Sequence, residues 1–116
     1  MRIELQDGRA ICERCIDAAR PLARLRGLLG RATLGRDEGV LLRPASSVHT
    51  AFMRFPIDAV FLDRELRVIR IAADLKPWRA AGCRGARAVL ELSSGESERR
   101  GVRPGDRVVP VGDLSV

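Results

Sequence analysis

The chain has 116 residues, of which 46% are hydrophobic and 31% charged, a balance typical of one globular domain with its own core rather than of a disordered segment. The net charge is +6, but 21 basic and 15 acidic residues are spread along the whole length. With three Phe, one Trp and no Tyr, the chain has few aromatic platforms on which single-stranded nucleic acid could stack. We therefore expect a single domain over residues 1–116 and do not expect nucleic acid as a partner.

The amino-terminal residues lack the apolar segment of a secretory signal, and no run approaches the ~18 apolar residues of a membrane span. Three Cys is an odd number, which argues against a disulfide framework and fits a reducing compartment. These features predict a soluble cytoplasmic protein without a membrane span.

An amino-terminal β-hairpin is predicted over residues 1–20, with Asp7-Gly8 at its turn. Its second strand contains a CxxC motif formed by Cys12 and Cys15. Such a pair can be half a zinc site or a redox motif, but the second half of a zinc site is missing, and a redox CxxC is expected at a strand-to-helix turn. In a regular strand the two side chains would point to opposite faces. We interpret both as structural, keep metal binding as the minority alternative, and expect no metal and no cofactor.

Two short helices are predicted. The first spans Pro21–Gly30, because Pro is tolerated in the first turn, four Leu form one apolar stripe, and Gly is a natural carboxy-terminal cap. The second begins at Ser93-Ser94 and ends at Gly101, with acidic residues in its first turn and basic residues in its last, as the helix dipole favours.

Short apolar or alternating segments fill most of the remaining chain, at residues 40–42, 48–54, 57–62, 67–73, 86–92 and 107–111. Of these, 57–62 and 67–73 form the clearest hairpin, although its turn lacks the usual Gly. The pattern predicts an α+β fold that is mainly antiparallel β. We expect six to eight short strands in a barrel-like or sandwich core, with the two short helices covering it.

The most apolar stretch is Val48–Asp63, and it nevertheless contains His49, Arg54 and Asp58. Buried polar groups need partners, so each residue is either a structural anchor or part of the floor of a binding pocket. Glu91, inside the run VLEL, has the same two interpretations, and Trp78 beside Pro77 could cover a pocket from a loop. For Asp58 we favour an anchor that accepts backbone hydrogen bonds near the bend.

The motif HTxFMRFPIDxxFLD at residues 49–63 is very similar to the core motif of the bacterial and archaeal domain-of-unknown-function family 192, also called uncharacterised protein family 0127. Further matches in the same order extend the resemblance over nearly the whole chain; they are RLRGLLG at residues 24–30, Pro77-Trp78, Gly82-Cys83, VLEL at 89–92, Gly95 and Gly105-Asp106. The resemblance implies a compact β-rich domain with little helix. It implies no activity.

Three functions are compatible with these residues. The first, which we favour, is a small binding module with a groove near His49 and Asp58 for a small anionic ligand or a peptide. The second is an enzyme that uses the same two residues as an acid/base pair. The third is a basic domain that binds a protein or nucleic acid. No nucleophile is spaced for a triad and there is no Gly-rich phosphate loop, so no residue is assigned as catalytic. The ligand, the partner and the oligomeric state are not determined by the sequence.

Overall fold

The computed structural model of the protein describes residues 1–18, 34–51 and 53–112. These residues form ten β-strands and one short α-helix. The strands are β1 (Arg2–Leu5), β2 (Ala10–Cys12), β3 (Arg14–Ala18), β4 (Glu38–Leu42), β5 (Ser47–His49), β6 (Ile57–Leu62), β7 (Val68–Leu75), β8 (Ala80–Gly82), β9 (Ala88–Ser93) and β10 (Val108–Val111), and the helix is α1 (Glu96–Arg99).

The strands pair in three sheets. A central five-stranded sheet has the order β3-β4-β9-β6-β7, a three-stranded sheet has the order β10-β1-β2, and β5 and β8 form a two-stranded ribbon. All pairs are antiparallel except β3 and β4. The mainly antiparallel β fold predicted from the sequence is thereby confirmed.

The central sheet is buried on both of its faces. On one face, alternate residues of β4, β6 and β9 pack against the three-stranded sheet, in a cluster that includes Leu41, Val60 and Leu90. On the other face, Phe61 and Val89 pack toward the β5–β8 ribbon. Because β6 is covered on both faces, all six of its residues are buried. A strand in this position reads as a nearly continuous apolar run in the sequence.

Two details of the predicted architecture differ. The three sheets formed by the described residues are open, so their arrangement is layered and no barrel closes. The prediction of two short helices is not confirmed: the described ranges contain only α1, and the helix predicted at Pro21–Gly30 lies outside them. Helix α1 is also shorter than expected, because β9 continues to Ser93 and the helix cap is Gly95, in the left-handed conformation with φ of 89°. None of the described helical residues forms a segment long and apolar enough to cross a membrane.

The hairpin of β6 and β7 forms as predicted, and its turn forms without a Gly. Leu66 adopts a positive φ of 63°. The carboxylate of Asp63 stabilises the turn, because its Oδ1 accepts the backbone N–H groups of Glu65 at 2.8 Å and Arg67 at 3.0 Å. An Asp side chain that bonds to its own turn in this way substitutes for the sequence usually expected there.

Candidate functional site

Asp58 is the most completely enclosed of the predicted site residues. It lies on β6 with no exposed surface. Its Oδ1 accepts the backbone N–H of Asp74 at 2.9 Å. Its Oδ2 accepts the N–H of Ser97 at 2.9 Å and the hydroxyl of the same residue at 2.6 Å. The N–H of Gly95 lies between both oxygens, at 3.2 and 3.1 Å. The carboxylate is therefore surrounded by donors.

These bonds have a clear structural purpose. The first N–H groups of a helix have no partner inside the helix, and no side chain within the α1 segment caps them. The carboxylate of Asp58 reaches from the neighbouring strand to fill that role. It joins β6, the end of β7 and the start of α1 at one point, and its acceptor positions are occupied by these segments. This geometry favours the anchor interpretation of Asp58 over the pocket interpretation.

Glu91 is also buried, with 3% of its surface exposed, but it lies on the other side of the central sheet. In the register of β6 and β9, Asp58 is opposite Leu92, whereas Glu91 is opposite Ala59. Because adjacent strand residues point to opposite faces, the two carboxylates are separated by the sheet. They do not line a common cavity.

His49, Arg54 and Trp78 are brought together near one residue that the sequence did not single out, Thr50. Thr50 has no exposed surface, and its carbonyl accepts the N–H groups of Trp78 and Met53, both at 3.1 Å. The first bond holds the Trp78 loop, and the second closes the turn that leads to Arg54. His49 precedes Thr50 directly and is exposed on the β5–β8 ribbon.

The side chain of Thr50 fixes the same loop a second time. Its Oγ1 lies 2.6 Å from the carbonyl of Lys76 and 3.1 Å from that of Arg79, and it accepts the N–H of Arg79 at 2.8 Å. The loop is held in a conformation in which Trp78 has a φ of 62° and 61% of its surface exposed. A positive φ is costly for a bulky residue, and such outliers occur preferentially at functional positions.

The predicted acid/base pair is separated by the fold. Val48 points into the cluster on the ribbon side of the central sheet, so its neighbour His49 faces outward from the ribbon. Asp58 points to the other side of that sheet, with both oxygens occupied. A proton transfer between them has no route in this geometry.

A cavity of about 480 Å³ lies elsewhere, at the ends of β1, β3, β4 and β10. Its lining residues are Met1, Arg2, Glu13, Arg14, Cys15, Ile16, Glu38, Gly39, Val111 and Gly112. None of the five predicted site residues lines this cavity. Within the ranges that the structure describes, no group of three or more His, Cys, Asp or Glu is placed to hold a metal ion.

Sequence reasoning missed the residues that organise both regions. Thr50 and Ser97 were missed because single hydroxyl residues are common in loops and strands, and only their burial, at 0% and 3% exposure, distinguishes them. The sequence does contain a signal for Thr50, because it is a polar residue between His49 and Ala51 within a mainly apolar stretch. No comparable signal marks Ser97, since its partner lies 39 residues away in the chain.

Comparison with known proteins identifies the family. The profile of a family described as Uncharacterized ACR, COG1430, matches residues 4–110. The chain belongs to domain-of-unknown-function family 192. The resemblance read from the motif at residues 49–63 is thus confirmed. A search of curated proteins returned no match.

Two solved structures are similar to this family 192 chain over most of its length. One is a protein of unknown function from Novosphingobium aromaticivorans DSM 12444, with 27% identity, a TM-score of 0.82, and coverage of 95% of this chain and 84% of that chain. The other is described as a putative transcription regulator from Sinorhizobium meliloti 1021, with 26% identity, a TM-score of 0.82, and coverage of 93% and 91%.

Proposed function

We propose that the protein is a small binding module that takes an anionic small molecule or an acidic peptide on the surface around Thr50. The observation that carries this proposal is Trp78, which a buried threonine holds in a left-handed conformation with 61% of the residue's surface exposed. A positive φ at a bulky residue costs on the order of 1 kcal/mol or more, and this conformation leaves Trp78 largely exposed to solvent. A ligand that stacks on the ring would recover that cost.

The charges around Thr50 favour an anion. Arg54, Lys76 and Arg79 are exposed cations, and His49 is exposed beside them. Asp74, two residues before Lys76, pairs with its ammonium at 2.8 Å, and this ammonium together with the hydroxyl of Ser94 holds the pKa of Asp74 below its usual value. The two arginines therefore supply the excess positive charge. Guanidinium groups match carboxylate and phosphate oxygens in a bidentate geometry.

Trp78 is the only tryptophan in the chain, so its fluorescence reports directly on this surface. We would titrate the protein with a short peptide of alternating Glu and Leu, using the matched Lys and Leu peptide as the control. We expect saturable binding of the acidic peptide with a Kd between about 1 µM and 1 mM. Inorganic phosphate would be titrated in parallel to test whether an isolated anion suffices.

Two arginine variants make the test specific. Arg79→Ala removes a cation next to Trp78 and is expected to weaken binding by ~5-fold, or about 1 kcal/mol, as for an exposed charge pair. Arg103→Ala removes another exposed cation, from the turn before β10, and is expected to leave the Kd unchanged. Equal affinity for both peptides, or equal losses in both variants, would contradict the proposal.

Duplex DNA is the competing ligand, because one structural neighbour is described as a putative transcription regulator and this chain has a net charge of +6. Non-specific DNA binding falls steeply with salt as phosphate counterions are released. DNA binding with a steep salt slope that Trp78→Ala leaves unchanged, together with no response to the acidic peptide, would replace our proposal with a nucleic-acid function.

A further inference from the structure

The CxxC segment crosses from one sheet to the other at a β-bulge. Strand β2 pairs with β1, and β3 pairs with β4. Between them, the backbone N–H groups of Glu13 and Arg14 both donate to the carbonyl of Asp37, at 3.0 and 2.8 Å. Two consecutive N–H groups on one carbonyl indicate one extra residue in the strand. A bulge of this kind lets a strand turn the corner between two packed sheets.

The bulge places both cysteines on the same face. Cys12 is opposite Ile3 on β1. Cys15 exchanges two hydrogen bonds with Met1, its N–H donating at 2.7 Å and its carbonyl accepting from the terminal ammonium at 2.8 Å. Met1 and Ile3 are two residues apart and share a face. Cysteines three residues apart therefore meet on one side, where a regular strand would have separated them.

The two thiols lie close together inside the core. Cys12 and Cys15 belong to one buried cluster, with 0% and 4% of their surfaces exposed. The Cys12 sulfur lies over Gly39, 2.9 Å from where a Cβ on that residue would be, and Gly39 is the strand partner of Cys15. The Cys12 sulfur also lies 3.7 Å from the carbonyl of Asp37.

One member of the pair has a route to solvent. Cys15 lines the open cavity of about 480 Å³, beside Arg2 and Arg14. Cys12 does not line it and has no exposed surface, although it belongs to the same buried cluster as Cys15. A small reagent that enters the cavity would therefore react with Cys15 first. Cys12 is then placed to attack the mixed disulfide on Cys15 and release the attached half of the reagent.

We propose that Cys12 and Cys15 form a reversible intramolecular disulfide, with a small-molecule disulfide as the oxidant. The Cys15 sulfur attacks the reagent and forms a mixed disulfide, and the Cys15 proton leaves with the first thiol released. The Cys12 sulfur then attacks the Cys15 sulfur, and its proton leaves with the second thiol. Overall, two protein S–H bonds and the reagent S–S bond are exchanged for one protein S–S bond and two reagent thiols.

A disulfide suits this environment better than a metal thiolate. Dithiol and disulfide are both neutral, so oxidation places no charge in the apolar cluster, whereas binding a soft metal ion would require two thiolates there. The residues that the structure describes supply no third metal ligand near the pair. Burial between two sheets also holds the thiols together before reaction.

The test is oxidation of the folded chain with oxidised glutathione in a Cys83→Ser background, which leaves only the two thiols in question. Intact mass spectrometry should show loss of the mass of two hydrogen atoms without a glutathione adduct. Peptide mapping should show a Cys12–Cys15 link, and dithiothreitol should reverse it. Circular dichroism before and after establishes that the chain stays folded.

Single variants identify the order of attack. In Cys12→Ala, the mixed disulfide on Cys15 has nothing to resolve it, so one glutathione should accumulate there. In Cys15→Ala, the buried Cys12 should remain unmodified over the same period. If either variant does not fold, the mapping of the Cys83→Ser chain decides the question alone.

Three results would overturn the proposal. In the first, both thiols stay free in the folded chain under conditions that oxidise the urea-unfolded chain. In the second, a stable glutathione adduct persists on Cys15 although Cys12 is present. In the third, native mass spectrometry shows a metal ion in place of the two thiol protons. The proposed ligand surface around Thr50 does not enter this test, so either proposal can fail without the other.

Discussion

Replacing Asp58 by Asn tests how much the buried carboxylate contributes to the fold. The substitution keeps the shape of the side chain but leaves one oxygen where the carboxylate has two. In its best orientation, Asn keeps the contacts to Ser97 and turns its NH₂ group toward the N–H of Asp74, which now lies 2.9 Å from Oδ1. Two donors then face each other without an acceptor.

The expected cost follows from these contacts. A hydrogen bond to a charged acceptor contributes about 1.5–3 kcal/mol, and each buried donor left unsatisfied costs about 1–3 kcal/mol. Asp58→Asn loses one such bond, leaves one buried donor unsatisfied and removes the charge from the acceptor of the remaining bonds. Together these changes should lower the free energy of unfolding by about 4 kcal/mol. Domains of this size are stable by only about 5–15 kcal/mol, so Asp58→Asn should leave a folded but marginal protein.

Urea unfolding followed by circular dichroism measures this loss. With an m-value of about 1.5 kcal/mol/M, the midpoint should fall by 2–3 M. Asp63→Asn is the matched control, because the contacts of Asp63 to two backbone N–H groups use a single oxygen in a surface turn, and it should cost less than about 1 kcal/mol. A loss for Asp58→Asn as small as that of the control would refute the anchor argument.

Three further substitutions probe neighbouring contacts by the same unfolding assay. Ser97→Ala removes the hydroxyl that donates to Asp58 at 2.6 Å but keeps the backbone donor, so we expect a loss of about 1–2 kcal/mol; no loss would mean that the hydroxyl is replaceable by water. Arg99 and Arg100 lower the pKa of the buried Glu96 carboxylate from its ordinary value of 4.5. The stabilisation that this carboxylate gives the folded state is therefore fully present above pH 4.5 and is lost as the pH falls through the lower pKa of the folded protein. Glu96→Gln should therefore cost about 1 kcal/mol at pH 7 and flatten the decline of stability below pH 4.5; an unchanged acid profile would contradict this. Trp78→Gly relieves the positive φ and should leave the free energy of unfolding within about 1 kcal/mol of the parent while abolishing peptide binding; retained binding, measured by calorimetry, would remove Trp78 from the site.

The parts of the fold that depend on local patterns were predictable from the sequence. Period-two alternation and turn residues located the β6–β7 hairpin, and the continuous apolar run at residues 57–62 indicated a central strand. Sheet order was not predictable, because β4 pairs with β9 across 46 intervening residues or more, and such long-range pairing leaves no local signal. The bulge at Glu13 was hidden for a similar reason, since the carbonyl that receives both N–H groups belongs to Asp37.

The candidate site was predictable residue by residue but not as an arrangement. Alternation correctly marked Asp58 and Glu91 as polar groups in apolar strands, yet only the register of β6 and β9 shows that they lie on opposite faces. His49 and Trp78 were separate suggestions from different segments. Their common support, Thr50, became visible only through bonds to a loop 26 to 29 residues away.

The carboxylate of Asp58 also has a consequence for the order of folding. Its partners are 16, 37 and 39 residues away along the chain, so the chain must close these loops before the charge is satisfied. In a partly assembled sheet that lacks β9 or α1, the Asp58 carboxylate would be removed from water before its hydrogen-bond donors are in place. This desolvation would cost several kcal/mol. Such intermediates are disfavoured, and the three segments are expected to assemble in one cooperative step.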